Sequence, residues 1–230
     1  MSPQNLPAVL REVRGRIARA AAAAGRNAQS VTLLAVGKGQ PVELLAAAAD
    51  CGVTDFGENY LQEALAKVAA LQNRALTWHF IGRIQANKTR PIADTFTWVH
   101  TLDRLKVAER LAAQRPFHAP PLNVCLQVNI AGEVSKGGVA PGELPALAAA
   151  VAQLSRLTLR GLMCIPPEES EPARQRTWFA RLRVLRDELN AAGHRLDTLS
   201  MGMSADFESA IQEGATIIRL GTVLFGARPP

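Results

Sequence analysis

The feature that most constrains this chain is an alternation. Eight short apolar runs follow one another, and each of the first seven is followed by a longer amphipathic stretch. Runs rich in Val, Ile and Leu suit strands buried on both faces, and the stretches between them carry apolar residues at helical spacing. Strands that alternate with helices pair in parallel. Strands are expected at 31–38, 55–58, 78–82, 96–102, 122–130, 157–165, 198–202 and 217–225. Helices are expected at 41–50, 60–71, 85–94, 104–114, 141–154, 172–192 and 205–213, with an extra leading helix at 5–24. In the 172–192 helix, Trp178, Leu182, Leu185 and Leu189 fall on one face.

Eight such units in 230 residues favour a closed (β/α)8 TIM barrel, slightly below the ~250 residues typical of that fold. An open doubly wound sheet is the alternative. It normally carries a glycine-rich fingerprint after its first strand, which Gly37-Lys38-Gly39 does not supply. No linker, repeat or low-complexity tract divides the chain, so residues 1–230 are expected to form one domain.

No apolar stretch approaches the roughly 18 to 20 residues that span a bilayer. The N-terminus has no long apolar core of a secretory signal. A cytoplasmic protein with no membrane partner is expected. The formal charge is +6, but the basic residues are scattered among Glu and Asp without an arginine-rich tail. Nucleic acid is therefore not expected as a partner; the charge reads as a solvated surface that favours anionic ligands. Cys51, Cys125 and Cys164 are odd in number and form no Cys-x-x-Cys pair, and the histidines lack metal-ligand spacing. Buried thiols and no metal are expected.

Two segments carry chemistry. Lys38 ends the first apolar run. In a barrel, groups at the C-terminal ends of strands line the site. Desolvation lowers the pKa of an amine there and makes it a nucleophile toward carbonyl compounds. A strand-end lysine reaching solvent is the plainer alternative. At the far end of the chain, Ser200, Met201, Arg219, Gly221 and Thr222 gather on the seventh and eighth strands, with Ser204 just beyond the seventh. Barrels often hold phosphate there: Gly221 lets the backbone approach, Thr222 and Ser200 offer hydroxyls, and Ser204 stands where it can cap the following helix. Closure makes strands one and eight neighbours, so both segments can meet one ligand. Glu58 and Asn59 end strand two and read equally as a turn or as ligand contacts. His79 reads as a satisfied core histidine, and Glu133 with Lys136 as a loop ion pair.

The motifs Ala35-Val-Gly-Lys38, Phe56-Gly-Glu-Asn-Tyr60, Trp78-His-Phe-Ile-Gly82, Val128-Asn-Ile130, Gly161-Leu-Met163, Leu199-Ser-Met-Gly-Met-Ser204, Arg219-Leu-Gly-Thr222 and Phe225-Gly-Ala-Arg228 occur in this order. With them the chain resembles, over nearly its whole length, the pyridoxal phosphate homeostasis protein family. The resemblance implies a barrel like the N-terminal domain of alanine racemase, of the fold-type III pyridoxal phosphate class. It implies that Lys38 forms the internal aldimine of pyridoxal 5′-phosphate. It also implies that Ser200, Gly221 and Thr222 hold the phosphate beside Met201, with Arg219 close to the pyridine nitrogen and Asn59 near the ring. The chain departs from the family where Gly37 replaces the usual Ser, Gly39 the frequent Thr, and Arg83 the usual Pro. These departures are expected to loosen the polar shell around Lys38.

An arginine facing the pyridine nitrogen keeps it unprotonated and weakens the ring as an electron sink. Two-face proton chemistry needs an acid/base on each side of the ring, and the only tyrosine is Tyr60. The expected role is a monomeric, non-catalytic carrier in vitamin B6 homeostasis that passes cofactor to apo-enzymes. A weak racemase or lyase, or a Schiff-base aldolase acting on a sugar phosphate, are the alternatives.

Overall fold

The computed structural model describes residues 5–133 and 136–227. Val134 and Ser135 of the 131–139 loop, and Arg228 of the last motif, lie outside the described residues. Eight parallel strands, β1 (Thr32–Val36), β2 (Asp55–Glu58), β3 (Thr77–Phe80), β4 (Trp98–Leu102), β5 (Leu122–Gln127), β6 (Leu157–Met163), β7 (Thr198–Ser200) and β8 (Ile217–Leu220), pair in chain order and close β8 onto β1. The helices between them are α2 (Val42–Asp50), α3 (Leu61–Ala70), α4 (Thr89–Thr95), α5 (Leu105–Gln114), α6 (Leu144–Ala152), α7 (Pro172–Ala191) and α8 (Phe207–Gln212). The leading helix α1 (Leu6–Ala23) buries Leu6, Leu10, Val13 and Ile17 at helical spacing and packs across α8 and a final one-turn helix, α9 (Thr222–Phe225). The alternation thus becomes the expected barrel with an extra N-terminal helix.

Two hydrophobic layers result. The larger lies between strands and helices; on α7 it takes Leu182 and Leu189 fully, and Trp178 and Leu185 in part. The smaller, inside the barrel, joins Leu34, Val36, Ile81 and Ile217 to Trp98. Cys125 and Cys164 are buried free thiols, and burial pushes each up to about 12. Lys136 pairs with Glu133 at 2.7 Å, as expected.

The strands are shorter than the apolar runs. A run ends where side chains stop being buried, whereas a strand ends where a neighbour stops offering backbone partners. β8 stops at Leu220; residues 222–225, expected in that strand, form α9 and bury Leu224 and Phe225 beside α1. β1 stops at Val36, so Lys38 sits in a turn beyond it. There Gln40 N–H donates to the Gly37 carbonyl at 2.9 Å, and Gly39 adopts φ 69°, the left-handed value that the third position of a type II turn requires.

The β5–β6 register passes over Arg160, stepping from Val124↔Leu159 to Cys125↔Gly161. A Cβ on Gly161 would lie 1.8 Å from the Thr198 carbonyl oxygen on β7. Because neither backbone can retreat without opening the barrel, Gly161→Ala is expected to cost more than ~3 kcal/mol, the upper end of overpacking penalties. Urea unfolding of the wild type and variant measures it.

Candidate functional site

At the C-terminal mouth of the barrel lies a cavity of about 270 Å³, lined among others by Lys38, Asn59, Ser204, Arg219, Gly221 and Thr222. The turn after β1, the residue after β2, and β8 with the segment after it supply five of the residues expected from sequence. The other two, Ser200 and Met201, are fully buried outside the lining. Ser204 faces the cavity instead. It does not cap the helix as expected: α8 begins beyond Asp206, whose Oδ1 accepts from Met203 N–H at 2.6 Å. Ser204 Oγ accepts from Val223 N–H at 3.2 Å, tying the β7 loop to α9. Gln40 also lines the cavity without having been singled out in the sequence, and Met163 and Met203, quoted only within motifs, line it too. Nothing in the protein itself requires glycine at 221, since an added Cβ would only touch Val36 at 3.5 Å. The space it keeps open is that of the cavity.

Arg219 dominates the electrostatics. It is 4% exposed, and burial lowers its pKa from the ordinary value, but a guanidinium remains charged. Its hydrogen bonds go to neutral acceptors, the Ser200 hydroxyl at 2.9 Å and the Cys164 carbonyl at 2.9 Å. Among the described residues no carboxylate pairs with it. A buried charge is normally paired, so the cavity is built to receive an anionic or electron-rich group. Asn59 Oδ1, also buried and without a hydrogen-bond partner, leaves a second polar contact open. The cation, the amide and the lysine thus share one cavity.

Behind Arg219 a hydrogen-bonded chain crosses the barrel interior. Ser200 Oγ lies 2.7 Å from His100 Nδ1, His100 Nε2 lies 2.9 Å from His79 Nδ1, and His79 Nε2 lies 3.1 Å from Asp55 Oδ1. Its ends set its direction. Arg219 only donates, so Ser200 Oγ accepts from it, and Ser200 gives its own proton to Nδ1 of His100, which as a neutral ring carries its one proton at Nε2. The Asp55 carboxylate only accepts, so His79 donates to it from Nε2 and accepts from His100 Nε2–H at Nδ1. Each ring therefore carries one proton. Desolvation, then His79 and Arg219 nearby, hold His100 well below the usual histidine range. Desolvation lowers His79 too, against the pull of Asp55. Burial raises Asp55, but its bonds from His79 and Thr54 leave it below the ordinary carboxylate value. His79 is the satisfied core histidine expected; His100 and Asp55 left no sequence signal, because their side-chain partners sit on other strands, Asp55 beside His79 of β3 and His100 across the barrel from Ser200.

The parallel barrel is of the class of the alanine racemase N-terminal domain, a family that matches residues 10–229. The pyridoxal phosphate homeostasis protein of Pseudomonas aeruginosa is 60% identical over 217 residues, covering 94% of this chain and 93% of that one. Its namesake in Escherichia coli K12 is 49% identical over 222 residues, covering 95% of each. The structure of PipY from Synechococcus elongatus PCC7942 with PLP bound superposes with a TM-score of 0.81 at 38% identity, over 92% of this chain and 100% of that one. The chain belongs to the pyridoxal phosphate homeostasis protein family.

The internal chain makes stability depend on pH. Both histidines are held neutral when folded and bind protons more readily when unfolded, so their contribution is present above about pH 6.5 and is lost as pH falls below it. Glu58, raised to about 7 chiefly by burial, acts oppositely: its contribution is present at low pH and is lost as pH rises towards 7. The unfolding free energy in urea is expected to fall from pH 7 to pH 5 less steeply in His100→Gln than in the wild type, and more steeply in Glu58→Gln.

Proposed function

We propose that this chain, residues 1–230 acting as one barrel unit, is a cytoplasmic, monomeric carrier of pyridoxal 5′-phosphate. It limits the free reactive aldehyde and supplies the cofactor to apo-enzymes without turnover of its own. The link is a Schiff base: the Lys38 amine condenses with the aldehyde carbonyl, one water leaves, and hydrolysis reverses it. The observation that carries this reading is the buried, unpaired Arg219 cation in the same cavity as Lys38.

The residues take separate parts. Lys38 supplies the amine. Arg219, fixed by Ser200 from behind the wall, faces the electron-rich side of the ring and donates rather than accepts. Asn59 meets a ring substituent. Gly221 and Thr222 take the phosphate, with Ser204 offering the cavity hydroxyl that Ser200 commits elsewhere and Met201 packing behind. The bound cofactor supplies an aldehyde that a lysine can hold covalently yet release. The carrier role is supported by Tyr60: it is 60% exposed and lines a neighbouring cavity with Arg83 and Lys88, not the one at Lys38.

Added pyridoxal phosphate is expected to give the wild type an imine absorption band that Lys38→Ala lacks. Borohydride is expected to fix one pyridoxyl group on Lys38, located by peptide mass mapping. Label spread over surface lysines would reject the cofactor site. Sustained conversion of any member of an amino-acid panel, read with chiral detection and lost in Lys38→Ala, would replace the carrier by an enzyme. A Schiff base with a sugar phosphate but no cofactor band would point to an aldolase.

A further inference from the structure

Outside the barrel wall, directly behind Lys38, lies a buried cluster that the cavity does not use. Glu58, at the end of β2, points away from the interior toward α3 and is fully buried; Lys67 of α3 is 6% exposed. An ammonium has three donors and no acceptor, and Lys67 spends all three. They reach the Gly37 carbonyl at 2.6 Å, Glu58 Oε1 at 2.9 Å and Glu63 Oε1 at 2.5 Å. Glu63 Oε1 in turn accepts from the Gly39 N–H at 2.7 Å. The Gly37 N–H donates to the Gly57 carbonyl of β2 at 3.0 Å, and its carbonyl also accepts from Gln40. The backbone is therefore gripped immediately before and immediately after Lys38, and both grips lead to one ammonium.

We propose that Lys67, seated by Glu58 and Glu63, is a positioning residue for Lys38: it fixes the turn that presents the lysine to the cavity. The proposal rests on the reading that Lys38 carries the cofactor. Stability alone is a weak reason for such a cluster, because buried ion pairs are often replaced by hydrophobic groups of the same volume without loss. What a hydrophobic group cannot do is hold the Gly37 carbonyl and, through Glu63, the Gly39 amide. Glu63 has the geometry for a test, because it stands in the first turn of α3 with a partly exposed side chain. Its truncation leaves the buried pair of Lys67 and Glu58 in place.

Amide exchange at Gly39, followed by NMR in the cofactor-free protein, reads the grip without reference to the cofactor. Glu63→Ala is expected to speed that exchange by about tenfold or more, the factor for losing one charge-assisted hydrogen bond. It is expected to weaken retention of pyridoxal phosphate, titrated by imine absorption, by a similar factor, with the thermal midpoint lowered by only a few degrees. Glu63→Gln keeps an acceptor oxygen and is expected to restore most of both. Lys67→Met is expected to lose both, with its midpoint measured alongside. Wild-type exchange and retention in Glu63→Ala would overturn the proposal, as would Glu63→Gln failing as badly as Glu63→Ala. Failure of borohydride to label Lys38 in the wild-type protein would instead sink the cofactor reading itself, whatever the Gly39 amide does.

Discussion

The pairing of β1 with β8 is the contact on which the site depends. Thr32 lies beside Ile217 and Leu34 beside Arg219, so the first and last strands of the barrel share one ladder. Lys38 and the 219–222 segment are far apart along the chain, and in an open sheet they would stand on distant strands. Closure brings both to one mouth. It also buries Arg219 in the cavity wall, where its charge is screened less than it would be in bulk water.

That charge then dictates what surrounds it. A carboxylate partner would neutralise Arg219 and leave little attraction for an anionic ligand. Ser200 and the Cys164 carbonyl satisfy its hydrogen bonds without cancelling its charge. Satisfying Ser200 in turn requires an acceptor deep in the barrel, and the two neutral histidines pass that requirement to Asp55 at the solvent-facing end of β2. The only acid in the chain thus sits at the far end of it from the cavity, where its negative charge costs the ligand least. The proton order along the chain needs no external setting, since one end can only donate and the other only accept.

The barrel was legible in the sequence because burial on both faces and helical spacing are local signals: Leu122 to Leu126 or Leu6, Leu10, Val13 and Ile17 reveal themselves by periodicity. Strand ends were less legible. Leu220-Gly-Thr-Val-Leu-Phe225 is as apolar as a strand, but past Leu220 no neighbouring backbone continues the ladder and the segment coils against α1. At the site, Lys38, Asn59, Arg219, Gly221 and Thr222 could be marked as strand-end residues. Ser200 was expected at the phosphate, but its hydroxyl is committed to a histidine 100 positions away and lies outside the cavity lining. Ser204 was misread as a cap because a serine just before a helix ordinarily is one; here the helix starts later and the serine ties two loops together. Lys67 gave no sign, since a lysine on an amphipathic helix reads as solvated surface unless the fold turns it inward.

The two glycines that flank Lys38 show how a departure from a family pattern acquires a reason only in three dimensions. Replacing Ser and Thr by Gly removes hydroxyls and was expected to loosen the polar shell. At 37 the lost side chain leaves room: a Cβ there would lie 2.5 Å from Glu58 Oε1 and 2.9 Å from Leu45, and those side-chain ends would have to shift. At 39 the glycine takes a φ of 69° without the steric penalty a side chain would bring, which closes the turn and aims its N–H at Glu63. Polar control passes from side chains beside the lysine to the backbone on either side of it, held from α3. A flexible glycine pair would by itself let Lys38 wander. Gripped at the carbonyl of one and the amide of the other, the same pair is restrained through the chain that carries the lysine.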